Sequence, residues 1–320
     1  MDILRKTIFL LILVVVCMSE EPIVEGIGIY GNDTFDDWTL SRLMETRENK
    51  FYSFILGGRQ RLDQRTLERD VTRIRDYYIQ EGFLDVAVAA NVVIRENGQK
   101  TIIHIDIEEG TRYYLKRYSI GGDGSSYFSK LGRKFTLAYQ KPFNPGLVEN
   151  DRITILREAQ NRGHPYADVK SDWEKINGDS IEVRFHVKLD KKADFGEITY
   201  KNLTYTKKDF LDREVVINTG NPYSFDAITK TRENLYRTGL FNVVRVKADT
   251  SETQPDSLDM DLYLFEKEPR WLAVKAAVIT DPEFDMTSDL TVEWGHRNIG
   301  GRAIGVAARL VPSFRMISQI

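Results

Sequence analysis

Cysteine is nearly absent from this sequence, and its absence excludes two classes of site. The single cysteine among the 320 residues is Cys17, which lies inside an N-terminal apolar run. No internal disulfide framework and no cysteine-based metal site can therefore form. The histidines are also few and are scattered without metal-ligand spacing, so we expect solvated histidines, no metal and no cofactor. They are His104, His164, His186 and His296.

An excess of positive charge is also absent, since 45 basic residues face 48 acidic ones. A general nucleic-acid-binding protein presents a basic face, so we expect no nucleic-acid partner. No serine lies in a nucleophile elbow, and we interpret Glu108-Glu109 and the pair Asp259/Asp261 as solvated strand ends. The sequence therefore predicts a protein that is not an enzyme.

Long apolar runs are missing except at the N-terminus. Arg5 and Lys6 precede an apolar run from Ile8 to Val16, which is too short for a comfortable membrane span. This pattern predicts a signal peptide over residues 1–19. Two alternatives stay open, a lipid-modified Cys17 and an uncleaved membrane anchor. Val16 is bulkier than the residue that lipoprotein signals prefer at that position.

A pattern of strand, helix, helix, strand and strand occurs three times after this segment. Each second helix ends at a glycine followed at once by a strand, and the three glycines lie roughly 80 residues apart. They are Gly82, Gly163 and Gly239. We call the three segments the first repeat (23–110), the middle repeat (111–190) and the third repeat (192–268).

Local signals support this division. In the first repeat Thr34 or Asp36 can cap one helix, and a second helix begins near Asp63. Asn97-Gly98 and Asn177-Gly178 predict hairpins at equivalent places. The first helix places Trp38, Leu40, Leu43 and Met44 on one side. The second places Leu67, Val71, Ile74 and Tyr78 on one buried face.

The pattern changes after Pro269, where only strands are predicted. Leu272, Val274, Ala276 and Val278 alternate on one face, and Gly300-Gly301 makes a turn. Strands of about ten residues that are apolar on one side indicate a transmembrane β-barrel. We therefore interpret residues 270–320 as its start. Single-chain barrels need about eight strands, so we expect the chain to be a fragment or its barrel to be incomplete.

Several segments resemble the POTRA units and barrel start of the BamA/TamA family of outer-membrane assembly proteins. The resemblance is clearest over Gly82-Phe83-Leu84-Asp85-Val86-Ala87-Val88, over Gly163-His164-Pro165-Tyr166 and over Arg237-Thr238-Gly239-Leu240-Phe241. Glu293 to Arg302 resembles the turn after an early barrel strand. Three units are more similar to the TamA-type branch than to the five of BamA, although His164 stands where an aromatic residue is usual.

The resemblance implies an α+β fold of three tandem β-α-α-β-β units with three-stranded mixed sheets, followed by the first antiparallel strands of an outer-membrane β-barrel. It also implies an assembly and insertion factor in the outer membrane, with the repeats in the periplasm of a Gram-negative bacterium. Its clients would be unfolded outer-membrane or autotransporter proteins, and a periplasmic or envelope-spanning assembly partner is expected. The alternatives are a secretion pore of the two-partner type and a periplasmic scaffold without insertase activity.

An edge strand leaves backbone groups that can pair with a client strand. The second strand is an edge in POTRA units, which implies edges at Val86–Arg95, Ala167–Lys175 and Asn242–Ala248. The predicted client-binding residues are Val86, Val88, Val92, Ile94, Val169, Ser171, Trp173, Val244 and Val246. The predicted barrel turn contains Trp294, Arg297, Gly300 and Gly301.

Overall fold

The computed structural model describes residues 21–49, 60–95, 98–128, 131–248, 256–280 and 286–316. The predicted signal peptide, Cys17 and Asn97 lie outside these ranges. Three three-stranded sheets follow one another along the described chain, and a four-stranded sheet comes last. This arrangement confirms the predicted α+β class with tandem three-stranded sheets. Contacts define two compact parts, and the middle repeat is divided between them.

The first repeat has a mixed sheet with its third strand in the centre. The sheet order is β1-β3-β2, with β1 parallel and β2 antiparallel to β3. Ile103, Ile105 and Ile107 of the central strand are buried, as their alternation predicts. The elements are β1 (Ile23–Tyr30), α1 (Asp37–Leu43), α2 (Gln64–Gln80), β2 (Ala87–Arg95) and β3 (Lys100–Glu108).

The other two repeats have the same strand order, β4-β6-β5 and β7-β9-β8. The elements of the middle repeat are β4 (Tyr114–Gly122), α3 (Ser125–Phe128), a 3-10 turn (Leu131–Lys134), α4 (Pro145–Asn161), β5 (Asp168–Ile176) and β6 (Ser180–Lys188). Those of the third repeat are β7 (Asp194–Lys201), α5 (Lys208–Glu214), α6 (Phe225–Arg237), β8 (Phe241–Ala248) and β9 (Ser257–Glu266). None of the helices in the described ranges is long and apolar enough to span a membrane.

Helix starts in the first repeat follow the predicted capping residues. Asp36 accepts from the backbone N–H of Thr39 at 2.9 Å, and Asp63 accepts from that of Arg65 at 3.0 Å. Trp38 was expected beside Leu40, but 64% of it is exposed. Residues two apart lie on different sides of a helix, so α1 buries Leu40 and leaves the Trp38 ring outside.

A buried carboxylate ties the two helices of the first repeat together. Asp70 on α2 is fully buried and accepts from the backbone N–H groups of Glu45 at 2.8 Å and Thr46 at 2.9 Å. Asp151 plays the same part in the middle repeat, where it accepts from the N–H groups of Thr136 and Leu137 at 2.7 and 3.0 Å. Each carboxylate therefore satisfies two backbone donors that no secondary structure pairs.

The last sheet has one apolar and one polar face. Its strands are β10 (Arg270–Thr280), β11 (Met286–Ile299), β12 (Ile304–Leu310) and β13 (Ser313–Met316), with β13 pairing with β11 beside the order β10-β11-β12. Leu272, Trp294 and Ala308 stand opposite one another on one face. On the other face Arg309 forms an ion pair with Glu293 at 3.3 Å. Whether this sheet begins a barrel stays a prediction.

Candidate functional site: the sheet edges

Each three-stranded sheet has two outer strands. β2, β5 and β8 are outer strands, as predicted, and β1, β4 and β7 are the outer strands on the opposite side. The second set was not predicted as edges. They could have been predicted, because a three-stranded sheet has two outer strands whatever its strand directions.

The chain between the two helices covers the start of each first strand. In the first repeat the N–H of Val24 donates to the carbonyl of Gln60 at 3.1 Å. In the middle repeat the N–H of Leu115 donates to Lys141 at 3.1 Å. In the third repeat that of Phe195 donates to Asn221 at 2.8 Å. The chain between the helices therefore partly occupies these three edges at their starts.

β2 pairs regularly with the central strand of its sheet. Its nine residues pair with β3 without a register shift, from Ala87 opposite Glu108 to Arg95 opposite Lys100. The predicted residues Val88 and Val92 are half-buried against the core of the first repeat, whereas Ile94 is exposed. Val86 is buried just before the strand begins.

A helix side chain reaches the edge strand of the middle repeat. The Arg152 guanidinium on α4 donates from Nη1 to the carbonyl of Val169 at 3.1 Å, at the start of β5. Val169 is buried, Ser171 is half-buried, and Trp173 packs against Phe143 with ring centroids 5.2 Å apart. The predicted client-binding residues of this strand therefore differ in their accessibility.

The edge strand of the third repeat is both irregular and occupied. Its register shifts between Phe241 and Val243, which marks a bulge. The N–H of Val244 donates to the Tyr236 hydroxyl on α6 at 3.0 Å. An amide has one hydrogen, so Val244 donates to this hydroxyl instead of to a strand. Val244 is buried and Val246 half-buried.

The glycines that end the second helices of the first and middle repeats also contact the next repeat. The N–H of Tyr113 donates to the Gly82 carbonyl at 2.8 Å, and that of Ala193 donates to Gly163 at 3.0 Å. Gly82 has φ +98°, and a Cβ there would lie 2.8 Å from the Tyr113 oxygen. Only glycine therefore fits this position without displacing the following strand.

Charged groups surround the first of these contacts. The Lys175 ammonium lies 2.6 Å from Asp85 Oδ1, and the Tyr113 hydroxyl donates to Asp85 Oδ2 at 2.8 Å. The ammonium and then the hydroxyl hold the pKa of Asp85 below its usual range. Arg112 forms a second ion pair across the same contact, 3.1 Å from Glu81.

Two side chains interpreted as solvated have structural partners instead. His164 is only 8% exposed, and its Nδ1 lies 3.1 Å from the Asp190 carbonyl. Glu109 is half-buried and accepts from the Thr34 N–H at 2.8 Å and the Tyr78 hydroxyl at 2.9 Å. Burial and this carboxylate raise the pKa of Tyr78. Both corrections depend on contacts between distant segments, which alternation alone does not reveal.

The predicted barrel turn packs against the third repeat. Asn298 is buried, donates from Nδ2 to the Thr206 hydroxyl at 2.9 Å and accepts from the Ala303 N–H at 2.9 Å. The N–H of Lys207 donates to the Gly301 carbonyl at 3.0 Å. A Cβ on Gly301 would lie 2.6 Å from the Tyr205 oxygen. The turn and the loop before α5 are therefore closely packed.

The other predicted turn residues have separate surroundings. Trp294 is exposed on the apolar face of β11, and the Arg297 N–H donates to the Pro269 carbonyl at 2.7 Å. Gly300 has φ +65°. Across the described ranges, no group of three or more histidine, cysteine, aspartate or glutamate residues is arranged to hold a metal ion.

The comparisons with known proteins agree with this geometry. The family model for POTRA, described as surface antigen variable number repeat, matches residues 22–110 and 193–265, which is half of the chain. The chain belongs to the POTRA family. It is a POTRA-containing protein of the BamA/Omp85 group. The middle repeat lies between the two matched segments and has the same strand order.

Two curated relatives are outer membrane protein assembly factors named BamA. BamA of Neorickettsia risticii is 24% identical over 230 residues, which cover 72% of this chain and 31% of that protein. BamA of Neisseria meningitidis serogroup B is 22% identical over 276 residues, which cover 84% of this chain and 34% of that protein. The chain thus spans about a third of the length of these relatives.

Solved structures show the same POTRA fold. Haemophilus influenzae BamA POTRA3-5 has a TM-score of 0.56 at 20% identity, and the match covers 77% of this chain and 96% of that one. Haemophilus ducreyi BamA lacking POTRA domains 1-3 has a TM-score of 0.51 at 16% identity, covering 63% of this chain and 37% of that one. These likenesses do not separate the BamA and TamA branches, so the TamA-type assignment stays a prediction.

Proposed function

We propose that this POTRA protein is an assembly and insertion factor of the outer membrane. In this role the repeats lie in the periplasm and bind unfolded β-barrel or autotransporter clients by strand addition. The observation that carries the proposal is the outer position of β2, β5 and β8 in their three-stranded sheets.

Strand addition suits varied clients because it depends on main-chain hydrogen bonds. Side chains of the client then alternate between the helix-covered face and the open face of the sheet. A client strand destined for a barrel alternates apolar and polar residues, so its apolar residues meet the covered face. This chemistry requires neither a nucleotide nor a metal.

The last sheet supports the membrane part of the proposal. Leu272, Val274 and Trp294 are exposed on one face, whereas the opposite face carries the Arg309–Glu293 ion pair. An exposed apolar face is costly in water and stable against lipid. In this proposal residues 270–320 begin the barrel, with Trp294 in the aromatic girdle and the turn Arg297–Gly301 at the rim.

NMR titration of the full chain with a client-derived peptide tests the client-binding part. We expect backbone amide shifts along one or more of β2, β5 and β8. A peptide of the same composition with its alternation scrambled should cause much smaller shifts. Shifts confined to β1, β4 and β7, or none along the three named strands, would contradict strand addition at the predicted edges.

A further inference from the structure

The three edges differ in one respect that bears on client binding. In the third repeat the Val244 N–H is already bonded to the Tyr236 hydroxyl at 3.0 Å. In the middle repeat the Val169 carbonyl already accepts from Arg152 at 3.1 Å. Both side chains come from the second helix of their repeat, and they reach Val169 near the start of β5 and Val244 inside β8. Tyr236 uses the single hydrogen of the Val244 amide, whereas Arg152 competes for an acceptor that has a second lone pair.

The first repeat has apolar residues at both equivalent positions. Tyr236 lies three residues before Gly239, and Ile79 lies three residues before Gly82. Arg152 lies eleven residues before Gly163, and Val71 lies eleven before Gly82. Neither Ile79 nor Val71 has a side-chain group that can form a hydrogen bond. Helix α2 therefore cannot block β2 in either of these two ways.

Val71 and Ile79 also make the surface beside β2 more apolar than the surface beside the other two edge strands. Val71 and Ile79 on α2 and Val88, Ala90 and Val92 on β2 are half-buried against the core of the first repeat. Helix α2 packs against β2, and Ile79 also lines a cavity with Asn144 and Leu147 at the start of α4. The edge is thus flanked by an apolar strip, and β2 pairs regularly along nine residues.

From these observations we infer that β2 is the client-pairing edge and that Tyr236 and Arg152 suppress pairing at β8 and β5. The inference rests on the proposed function and names the strand on which it acts. The partner that fits is an extended segment with apolar residues at every second position. Its backbone pairs with β2, and its apolar side chains cover the strip formed with α2.

Disulfide capture on the full chain tests this selectivity. Cysteines are placed at equivalent exposed positions on the open faces of the three edges, in a Cys17→Ser background, as Ala89→Cys, Lys170→Cys or Arg245→Cys. The probe is a peptide of about ten residues, the length of a barrel strand, with alternating valine and threonine and one central cysteine. We expect capture at position 89 to exceed capture at 170 and at 245 by about fivefold or more, the effect of one net hydrogen bond.

Comparing tyrosine with phenylalanine at the same position isolates the effect of the hydroxyl on strand pairing. Tyr236→Phe should raise capture at position 245 about fivefold, because the Val244 N–H is released for the peptide. In the first repeat Ile79→Tyr should lower capture at position 89 relative to Ile79→Phe, which has the same ring without the hydroxyl. Circular dichroism of each variant checks that the fold is retained.

The outcomes separate the inference from the proposed function. Equal capture at the three positions, or no response to Tyr236→Phe, overturns the selectivity and leaves strand addition standing. A second peptide, N-methylated at successive residues, cannot pair along either of its edges, because successive N–H groups of a strand point to opposite sides. Equal capture of both peptides, or no capture at any position, overturns strand addition and the selectivity with it.

Discussion

Replacing Asp70 by alanine should open the first repeat far more readily than it opens in the native chain. The substitution leaves two inward backbone donors, the N–H groups of Glu45 and Thr46, without their acceptor. Each unsatisfied buried donor costs about 1–3 kcal/mol. Arg73 keeps its ion pair with Glu45 at 2.5 Å, so no second charge becomes unpaired. We therefore expect a loss of about 3 kcal/mol.

Native-state hydrogen exchange of the full chain measures this loss locally. The amides of Ile103 and Ile105 lie in the central strand and should exchange about a hundredfold faster, since 1.4 kcal/mol is a factor of ten. Asp76→Ala on the exposed side of α2 is the matched control and should change exchange very little. Unchanged exchange in Asp70→Ala, or an equal change in the control, would refute the role of the buried carboxylate.

Three further predictions concern the contacts between segments. Gly82→Ala should destabilise the full chain by about 2 kcal/mol in urea unfolding. The loss should exceed that of Gly98→Ala, because both glycines have a positive φ but only Gly82 touches the next repeat. Equal losses in the two variants would contradict this prediction. Asn298→Ala should speed amide exchange in the loop before α5 at least tenfold, because two buried hydrogen bonds are lost. Unchanged exchange in this loop would show that these hydrogen bonds do not fix the turn against it. The depressed pKa of Asp85 stabilises the folded chain above about pH 4, and this contribution is lost as the pH falls through the folded-state pKa. Lys175→Met should therefore flatten the dependence of the unfolding midpoint between pH 6 and 3, and an unchanged slope would contradict the ion pair's role.

Much of the architecture follows from local sequence. The four- and three-residue spacing of Leu67, Ile74 and Tyr78 predicts a single buried helix face, and all three are buried. Asp63 caps this helix, and Gly82 ends it with a positive φ. These features depend on neighbours within one or two helical turns, so they can be predicted from the residues before any tertiary contact is known.

Other features are decided by segments that are distant in the chain. Alternation placed Glu109 on a solvated strand end, yet Thr34 and Tyr78 supply its donors. No periodicity distinguishes Tyr236 from another helix tyrosine, and only the position of β8 beside α6 gives it the Val244 N–H.

The sequence by itself determined the three repeats and their helix ends and, through the resemblance, the outer position of each second strand, because these depend on local spacing and on one recurring pattern. Tertiary structure decided which edges are occupied, because a backbone donor is blocked only when a side chain from another element comes within hydrogen-bonding distance. It also decided that the turn at Asn298 packs against the third repeat.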